Sequence, residues 1–137
     1  MRLLPLLLLM LLGPAQAQVV EPPCVIVYSH GRNLGEAAEN AAWDRVNARF
    51  NEQVTSRLQA TGRRAQPLLL KIGTLDLALA VRRLLGEAQR LGCSQVVDAT
   101  VFADEDSDRL VVRLRVHPLL PSLGPRAGPA LPRIGEP

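Results

Sequence analysis

Residues 96–117 read VVDATVFADEDSDRLVVRLRVH, which is two runs of alternating apolar and polar residues around a polar centre. Alternation with a period of two is typical of β-strands that bury one face. Pairing the runs as an antiparallel hairpin, with Ala103 beside Leu110, gathers the apolar positions on one face. The same register sets Asp98 beside Arg115 on the other face, where opposite charges attract. The sequence therefore predicts a terminal hairpin with an apolar core face.

The chain before this hairpin predicts two more strands and two helices. Residues 24–28 form an apolar run rich in β-branched residues, which indicates a buried strand. Residues 67–72, PLLLKI, predict an edge strand because a proline begins the run. Apolar residues recur at helical spacing over residues 35–60 and again over residues 75–91.

Each predicted helix has one apolar stripe and a recognisable end. The stripe of the first helix is Ala38, Ala42, Trp43, Val46, Phe50, Val54 and Leu58. The stripe of the second helix is Leu77, Val81, Leu84, Leu85, Ala88 and Leu91. Thr74 is positioned to cap the start of the second helix. Gly62 and Gly92 are placed to end the two helices.

The resulting order is β-α-β-α-β-β, which predicts a single layer-type α/β domain. We expect a mixed sheet whose first three strands are joined by right-handed crossovers, with an antiparallel hairpin at the C-terminal end. Residues 24–117 are enough for one compact domain and too few for two.

The first residues, MRLLPLLLLMLLGPAQA, have the charged, apolar and small-residue order of a secretory signal peptide. Residues 1–17 are therefore predicted to be cleaved, and residues 18–23 to form a linker. The apolar run is about half of the ~20 residues that a membrane-spanning helix needs, so we expect no membrane insertion of the mature chain. Localisation is predicted to be periplasmic or secreted.

Residues 118–137 contain six prolines and three glycines. Proline lacks a backbone donor and fixes φ, so we expect this segment to leave the sheet as a disordered Pro-rich tail. A docking segment for a partner is the alternative interpretation.

The charge of the chain argues against nucleic acid as a partner. The formal net charge is +3, and cleavage would remove Arg2 and leave +2, without the concentrated basic stripe that nucleic-acid binding needs. Lys71 is the single lysine beside fifteen arginines, and no Asn-x-Ser/Thr sequon occurs. This composition favours a bacterial exported protein.

Cys24 and Cys93 begin the first and third predicted strands. If those strands are parallel neighbours, both cysteines lie at the same end of the sheet, and a disulfide bond is expected in an oxidising compartment. Such a bond would contribute roughly 4 kcal/mol by chain-entropy arithmetic. Two free thiols are the alternative.

Ser29, His30 and Gly31 follow one another as in the active-site turn of a hydrolase. The turn lacks, however, the first glycine of a nucleophile elbow. Adjacent side chains on an extended backbone point to opposite sides, so Ser29 and His30 cannot form an activated pair. A connection from strand to helix is the simpler interpretation, and no catalytic residue is predicted.

Metal and cofactor sites are not predicted either. Asp104, Asp106 and Asp108 have the spacing that opens a calcium loop, but Arg109 and Arg115 replace its glycine and its glutamate. A solvated hairpin turn is favoured. The two histidines and two cysteines form no zinc-ligand pattern, and no cofactor motif is present.

Four polar residues of the hairpin share the face opposite its apolar positions. They are Asp98, Arg113, Arg115 and His117. They are either a solvated outer surface or a binding surface for an anionic or protein partner. We take them as the candidate partner-binding residues.

The run AQRLGCSQVVDATVFADEDSDRLVVRLRV, residues 88–116, resembles the closing segment of small bacterial envelope-accessory domains. It is similar in pattern to the curli-secretion lipoprotein, to periplasmic activators of penicillin-binding proteins, and to the amino-terminal domain of the Tol system's β-propeller protein. It departs from the lipoproteins in lacking an acylation cysteine. The resemblance implies a non-enzymatic accessory protein that binds another envelope component. The alternative is a small secreted enzyme or small-ligand carrier that uses the Ser29–His30 turn.

Overall fold

Strands and helices alternate along the chain in the predicted order. The computed structural model describes residues 17–31, 35–71, 76–104, 106–122 and 130–137. The elements within those ranges are β1 (Cys24–His30), α1 (Ala37–Ala60), β2 (Arg64–Leu70), α2 (Leu77–Leu91), β3 (Gln95–Asp104), β4 (Arg109–Leu120) and β5 (Arg133–Ile134).

The strands form one mixed sheet in the order β2-β1-β3-β4-β5. β1 is parallel to both β2 and β3, whereas β4 is antiparallel to β3 and to β5. The predicted α/β class and the order β-α-β-α-β-β are confirmed. The hairpin register is confirmed as well, since Ala103 pairs with Leu110 and Asp98 with Arg115. β2 lies at an edge, as Pro67 indicated.

The two helices cover opposite faces of the sheet. Val25 and Val27 of β1 belong to the core against which Phe50 of α1 packs. Ile26, which lies between them in sequence, belongs to a second core together with Leu84 of α2. Successive residues of a strand point to opposite faces, so β1 is buried on both sides, which explains its continuous apolar run.

A disulfide bond joins Cys24 to Cys93, whose Cα atoms lie 4.3 Å apart. Cys24 begins β1, and Cys93 directly precedes β3, its parallel neighbour. The backbone joins the same ends, because the Ser94 amide donates to the Cys24 carbonyl at 3.2 Å. The predicted disulfide bond is confirmed, and its cause is the parallel adjacency of the two strands.

The buried face of α1 differs from the predicted stripe. The helix buries Asn47, Asn51 and Thr55, which follow one another at four-residue steps. Val46, expected to be buried, retains 43% exposure. The prediction was wrong about the centre of the face because Asn47 and Asn51 bond to groups of the sheet beneath the helix, and Thr55 donates to Asn51; satisfied polar groups tolerate burial.

The start of α2 also differs from prediction. Asp76 caps the helix, its carboxylate accepting from the Ala78 amide at 2.7 Å. The expected cap, Thr74, lies outside the described residues. Leu77 is 66% exposed and does not join the buried stripe, which includes Leu84 as predicted. Gly92 ends the helix in the left-handed conformation, as expected.

The expectation that the chain leaves the sheet at Pro118 is wrong. β4 continues through Leu120, and β5 pairs with its last two residues. The Gly135 amide donates to the Pro118 carbonyl at 2.8 Å. A Cβ on Gly135 would lie 2.8 Å from Pro118 Cγ, so this glycine permits the close approach. Residues 123–129 of the predicted tail lie outside the described residues.

Residues 18–23, the predicted linker, are exposed and have no regular secondary structure. The predicted leader, apart from residue 17, lies outside the described residues. Among the helices that the structure describes, neither is long and apolar enough to cross a membrane.

Candidate functional site

A polar cluster occupies the α2 side of the sheet, where β1 and β3 approach their carboxyl ends. We define this polar cluster as Tyr28, His30, Asp98, Thr100 and Arg113. Strand pairing brings its members together, since Tyr28 lies opposite Asp98 and Thr100 lies opposite Arg113. All five share one face because strand residues two apart point the same way.

Asp98 is the buried centre of the polar cluster, with 5% exposure. One carboxylate oxygen accepts from the Thr100 hydroxyl at 2.5 Å. The other lies 2.8 Å from Arg113 Nε. That Nε has no hydrogen-bond partner among the described residues, so its contact with Asp98 is an ion pair without hydrogen-bond alignment. A buried carboxylate needs such a partner, because an isolated charge is costly to bury.

Arg113 also contacts the His30 ring. Its Nη2 lies 2.7 Å from His30 Nε2. Arginine only donates, so His30 Nε2 must be the unprotonated, accepting nitrogen. The other ring nitrogen, Nδ1, faces the Gly31 carbonyl at 3.4 Å. The guanidinium further lies 5.5 Å from the centre of the Phe102 ring, within the range of a cation–π contact.

Tyr28 closes the polar cluster on the β1 side. Its ring stacks on His30 with 6.5 Å between centroids. Burial raises the pKa of the Tyr28 phenol to about 12, and the negative charge of Asp98 acts in the same direction. The phenol is therefore a neutral donor at physiological pH.

A cavity of about 390 Å³ opens beside the polar cluster. Its lining residues are His30, Thr100, Phe102, Ala103, Asp104, Asp106 and Arg113. The chain crosses from β1 to β2 on one side and from β2 to β3 on the other, so β1 and β3 flank a topological switch point. Open α/β sheets usually bind ligands outside the carboxyl ends of strands at such a point.

Ser29 lies on the other face of β1 and is fully buried. Its hydroxyl donates to the Ala99 carbonyl and accepts from the Asn51 amide. β1 continues through His30, so the predicted strand end at residue 28 was too early. Ser29 and His30 therefore point away from each other, as the extended backbone predicted, and the structure does not bring them together.

The four predicted partner-binding residues differ in accessibility. Asp98 and Arg113 are engaged with each other, as described above. His117 is half-buried, with Nδ1 3.0 Å from the Gly135 carbonyl oxygen. Arg115 is exposed. Asp98 pairs in register with Arg115, but its ion pair is diagonal, with Arg113.

The predicted core face of β4 is exposed on the α1 side of the sheet. We call this the β4 stripe, and its residues are Leu110, Val112, Leu114 and Val116, with exposures of 71%, 58%, 58% and 49%. The β3 partners of Val112, Leu114 and Val116 are covered, since Val101, Ala99 and Val97 are all buried. The register prediction was right, but the inference of burial fails for the β4 half of that face.

A groove of about 430 Å³ runs between the β4 stripe and α1. Phe50, Val54 and Leu58 form its helix wall, Leu114 lies on the strand side, and Arg57 is among the polar residues at its border. The apolar stripe predicted for α1 thus lines the groove with one side while packing against the core with the other.

The sequence contained a signal for this exposed surface. A helix is about 10 Å wide, whereas neighbouring strands lie about 4.8 Å apart, so one helix covers two or three strands. The predicted order supplies only two helices for at least four strands. An outer strand such as β4 must therefore remain uncovered on one face, although its residue pattern alone suggests burial.

The Asp104 carboxylate is hydrogen-bonded to other residues of the hairpin turn. Asp104 accepts from the Ser107 hydroxyl at 2.5 Å and from the Asp106 amide at 3.3 Å, and these bonds lower the pKa of Asp104. Among the described residues, no group of three His, Cys, Asp or Glu side chains is placed to hold a metal ion.

Comparison of the chain with protein-family models, characterised proteins and solved structures finds no significant match. The resemblance to envelope-accessory domains therefore stays a prediction.

Proposed function

We propose that this chain is an exported accessory protein of the bacterial envelope that binds a protein partner and catalyses no reaction. The observation that carries the proposal is the β4 stripe beside the groove lined by Phe50, Val54 and Leu58. A contiguous apolar surface bordered by polar residues is typical of a protein-binding site.

The energetics of the β4 stripe support this role. Burying a valine or leucine side chain contributes about 1.5–3 kcal/mol, and between 49% and 71% of each β4 stripe residue is available for burial by a partner. Because these four side chains are exposed, they add little to the buried core of the domain. A partner that covers them gives these residues a function.

Three further features favour an exported, non-catalytic protein. The Cys24–Cys93 bond is typical of oxidising compartments. The leader-like residues 1–17 agree with export. Ser29 is buried beneath α1 and bonded to the backbone, so it has no access to a substrate.

Photo-crosslinking in cells tests the proposal. A crosslinking amino acid at position 114 of the β4 stripe should give an adduct with a second protein, whereas one at exposed position 82 of α2 should not. The double change Val112→Asp and Val116→Asp should abolish the adduct. Leu77→Asp is the matched control, because Leu77 is also an exposed apolar residue, at 66%, but lies outside the groove. Absence of adducts from both positions contradicts a protein-binding function.

The cavity beside the polar cluster supports a second candidate, a small-ligand carrier. His30 and Arg113 supply polar groups at the switch point, in a cavity of the size that small molecules occupy. Small-molecule extract from the same compartment would then raise the melting temperature of the wild-type protein but not of His30→Asn. Combined with no adduct from position 114, that result favours the carrier.

A further inference from the structure

The outer edge of β4 carries backbone groups that are not paired with any strand among the described residues. The Leu119 amide donates to the Ser94 carbonyl, on the side of β4 that faces β3. The Pro118 carbonyl accepts from the Gly135 amide, on the side of β4 that faces away from β3. Backbone direction alternates along an antiparallel strand, so the even-numbered residues of β4 direct their N–H and C=O groups outward. Within the described ranges, strand pairing on this edge is confined to Leu119 and Leu120.

The even-numbered residues are also the β4 stripe. Leu110, Val112, Leu114 and Val116 therefore present both outward backbone groups and exposed apolar side chains. An added strand would satisfy these backbone groups, and every second side chain of it would lie beside the β4 stripe. The available edge, residues 110–116, is roughly 20 Å long at ~3.4 Å per residue.

The other face of the same edge is cationic. Arg109 and Arg115 are exposed there, and Arg113 lies between them in the strand. The Arg113 charge is balanced by Asp98, but Arg109 and Arg115 have no ion-pair partner among the described residues. Side chains of an added strand that point to this face would lie beside those two guanidinium groups, where carboxylates are favoured and ammonium groups are not.

A second copy of the chain fits this edge poorly. Antiparallel self-pairing centred on Val112 sets Arg109 against Arg115. Centring on Arg113 sets that residue against its own copy, and centring on Leu114 sets Arg113 against Arg115. Like charges directly opposite each other destabilise strand pairs, so β4 disfavours pairing with itself.

We infer that β4 binds an extended segment of a partner protein in which apolar residues alternate with Asp or Glu, by adding it to the sheet as a new strand. The inference rests on the proposed function and names the partner class for the same site. Backbone bonds supply affinity in this mode of recognition, and alternate side chains supply specificity.

The chain itself contains a short example of this pairing. β5 adds to the same edge of β4 in the antiparallel sense, and Ile134 pairs with Leu119. The partner segment would occupy the edge from residue 110 to residue 116, next to β5. β4 would then be paired on both sides along most of its length.

Synthetic peptides test the inference on the mature chain, residues 18–137. The probe is the C-amidated heptapeptide VDVDVDV with a fluorophore on its amino terminus, and its charge-reversed control is VKVKVKV with the same label. We expect the acidic peptide to bind at least tenfold more tightly by fluorescence polarisation, with binding weakened by added salt. It should also slow hydrogen exchange at the amides of Leu110, Val112, Leu114 and Val116.

Backbone methylation of the peptide separates strand addition from general apolar binding. N-methylation of the alternate amides that face β4 should abolish binding, whereas methylation of the remaining amides should not. Equal affinity for the acidic and basic peptides, or unchanged exchange at the four amides, overturns the inference. The inference is also overturned if the mature chain forms a dimer that the acidic peptide does not dissociate. It is overturned as well if residues 1–17 occupy this edge in the uncleaved chain.

The two proposals fail in different ways. If position 114 crosslinks to a partner but the peptides do not bind, the proposed function stands and strand addition is wrong. If neither experiment gives binding, the proposed function fails as well.

Discussion

Arg113 holds the polar cluster together at the scale of single residues. Its guanidinium balances the buried Asp98 carboxylate, contacts His30 Nε2 and lies over the Phe102 ring. Arg115, two positions along the same strand, is exposed. The two arginines look equivalent in the sequence, but only the loss of Arg113 would leave a buried carboxylate without its opposite charge.

Replacing Arg113 by Gln should destabilise the protein, because it leaves the Asp98 carboxylate buried without an opposite charge. Removing one partner of a fully buried pair costs about 3–5 kcal/mol, and the partial exposure of Arg113 lowers the expected loss to about 2 kcal/mol. Arg115→Gln should change the free energy of unfolding by about 0.5 kcal/mol or less. Urea denaturation of both variants measures the difference, and equal midpoints would contradict this account of Asp98.

At the scale of elements, side-chain amides help to attach α1 to the sheet, in addition to its apolar packing against the core. Asn51 Nδ2 donates to the Val27 carbonyl at 2.8 Å. Asn47 both donates to the Val101 carbonyl at 3.0 Å and accepts from the Val101 amide at 2.8 Å. These bonds reach β1 and β3, so they set the position of the helix along two strands at once.

Asn51→Ala should cost about 2 kcal/mol of unfolding free energy, since it leaves a buried carbonyl of β1 without its donor. Val46→Ala is the matched control on the same helix, and it should change stability by about 0.5 kcal/mol or less because Val46 is largely exposed. Thermal or urea unfolding of the two variants decides between this arrangement and the apolar stripe that the sequence suggests. A larger loss of stability for Val46→Ala than for Asn51→Ala would mean that the apolar stripe, and not the amide bonds, holds α1 on the sheet.

Sequence patterns predicted the type and order of the elements better than the burial of individual residues. Alternation in β3 and β4 determined the register, because a slip of one residue would reverse both faces.

Asn47 and Asn51 were missed, since an amide in a helix is normally exposed and its partners here are backbone groups distant in sequence. β5 was missed because Gly135 fits against Pro118, a tertiary contact that composition does not reveal. The polar cluster was predicted only in part, as His30 and Tyr28 reach it through the parallel pairing of β1 with β3.

At the scale of the whole molecule, the disulfide bond and the polar cluster lie at opposite ends of the same two strands. Cys24 and Cys93 join β1 to β3 at their amino ends, whereas His30 lies at the carboxyl end of β1. The bond closes a loop with a sequence separation of 69 residues. Restricting so long a loop in the unfolded chain is its main expected contribution.

Protein recovered from the oxidising compartment to which it is exported should lack residues 1–17 and have a mass two hydrogens below that of its reduced form. The double change Cys24→Ala and Cys93→Ala should lower the free energy of unfolding by about 4 kcal/mol. Intact-mass spectrometry and urea denaturation are the measurements. Retained leader residues, or two alkylatable thiols in the native protein, would contradict the prediction.

The amide bonds of α1 have a consequence for how this protein can evolve. Asn47 and Asn51 bind main-chain groups, which every amino acid except proline supplies in full, so these bonds depend little on the side chains of their partner residues. Mutations at the exposed positions of β4 can then accumulate at little cost to stability. The domain is able to acquire new binding preferences by drift at its surface, without first having to be stabilised elsewhere.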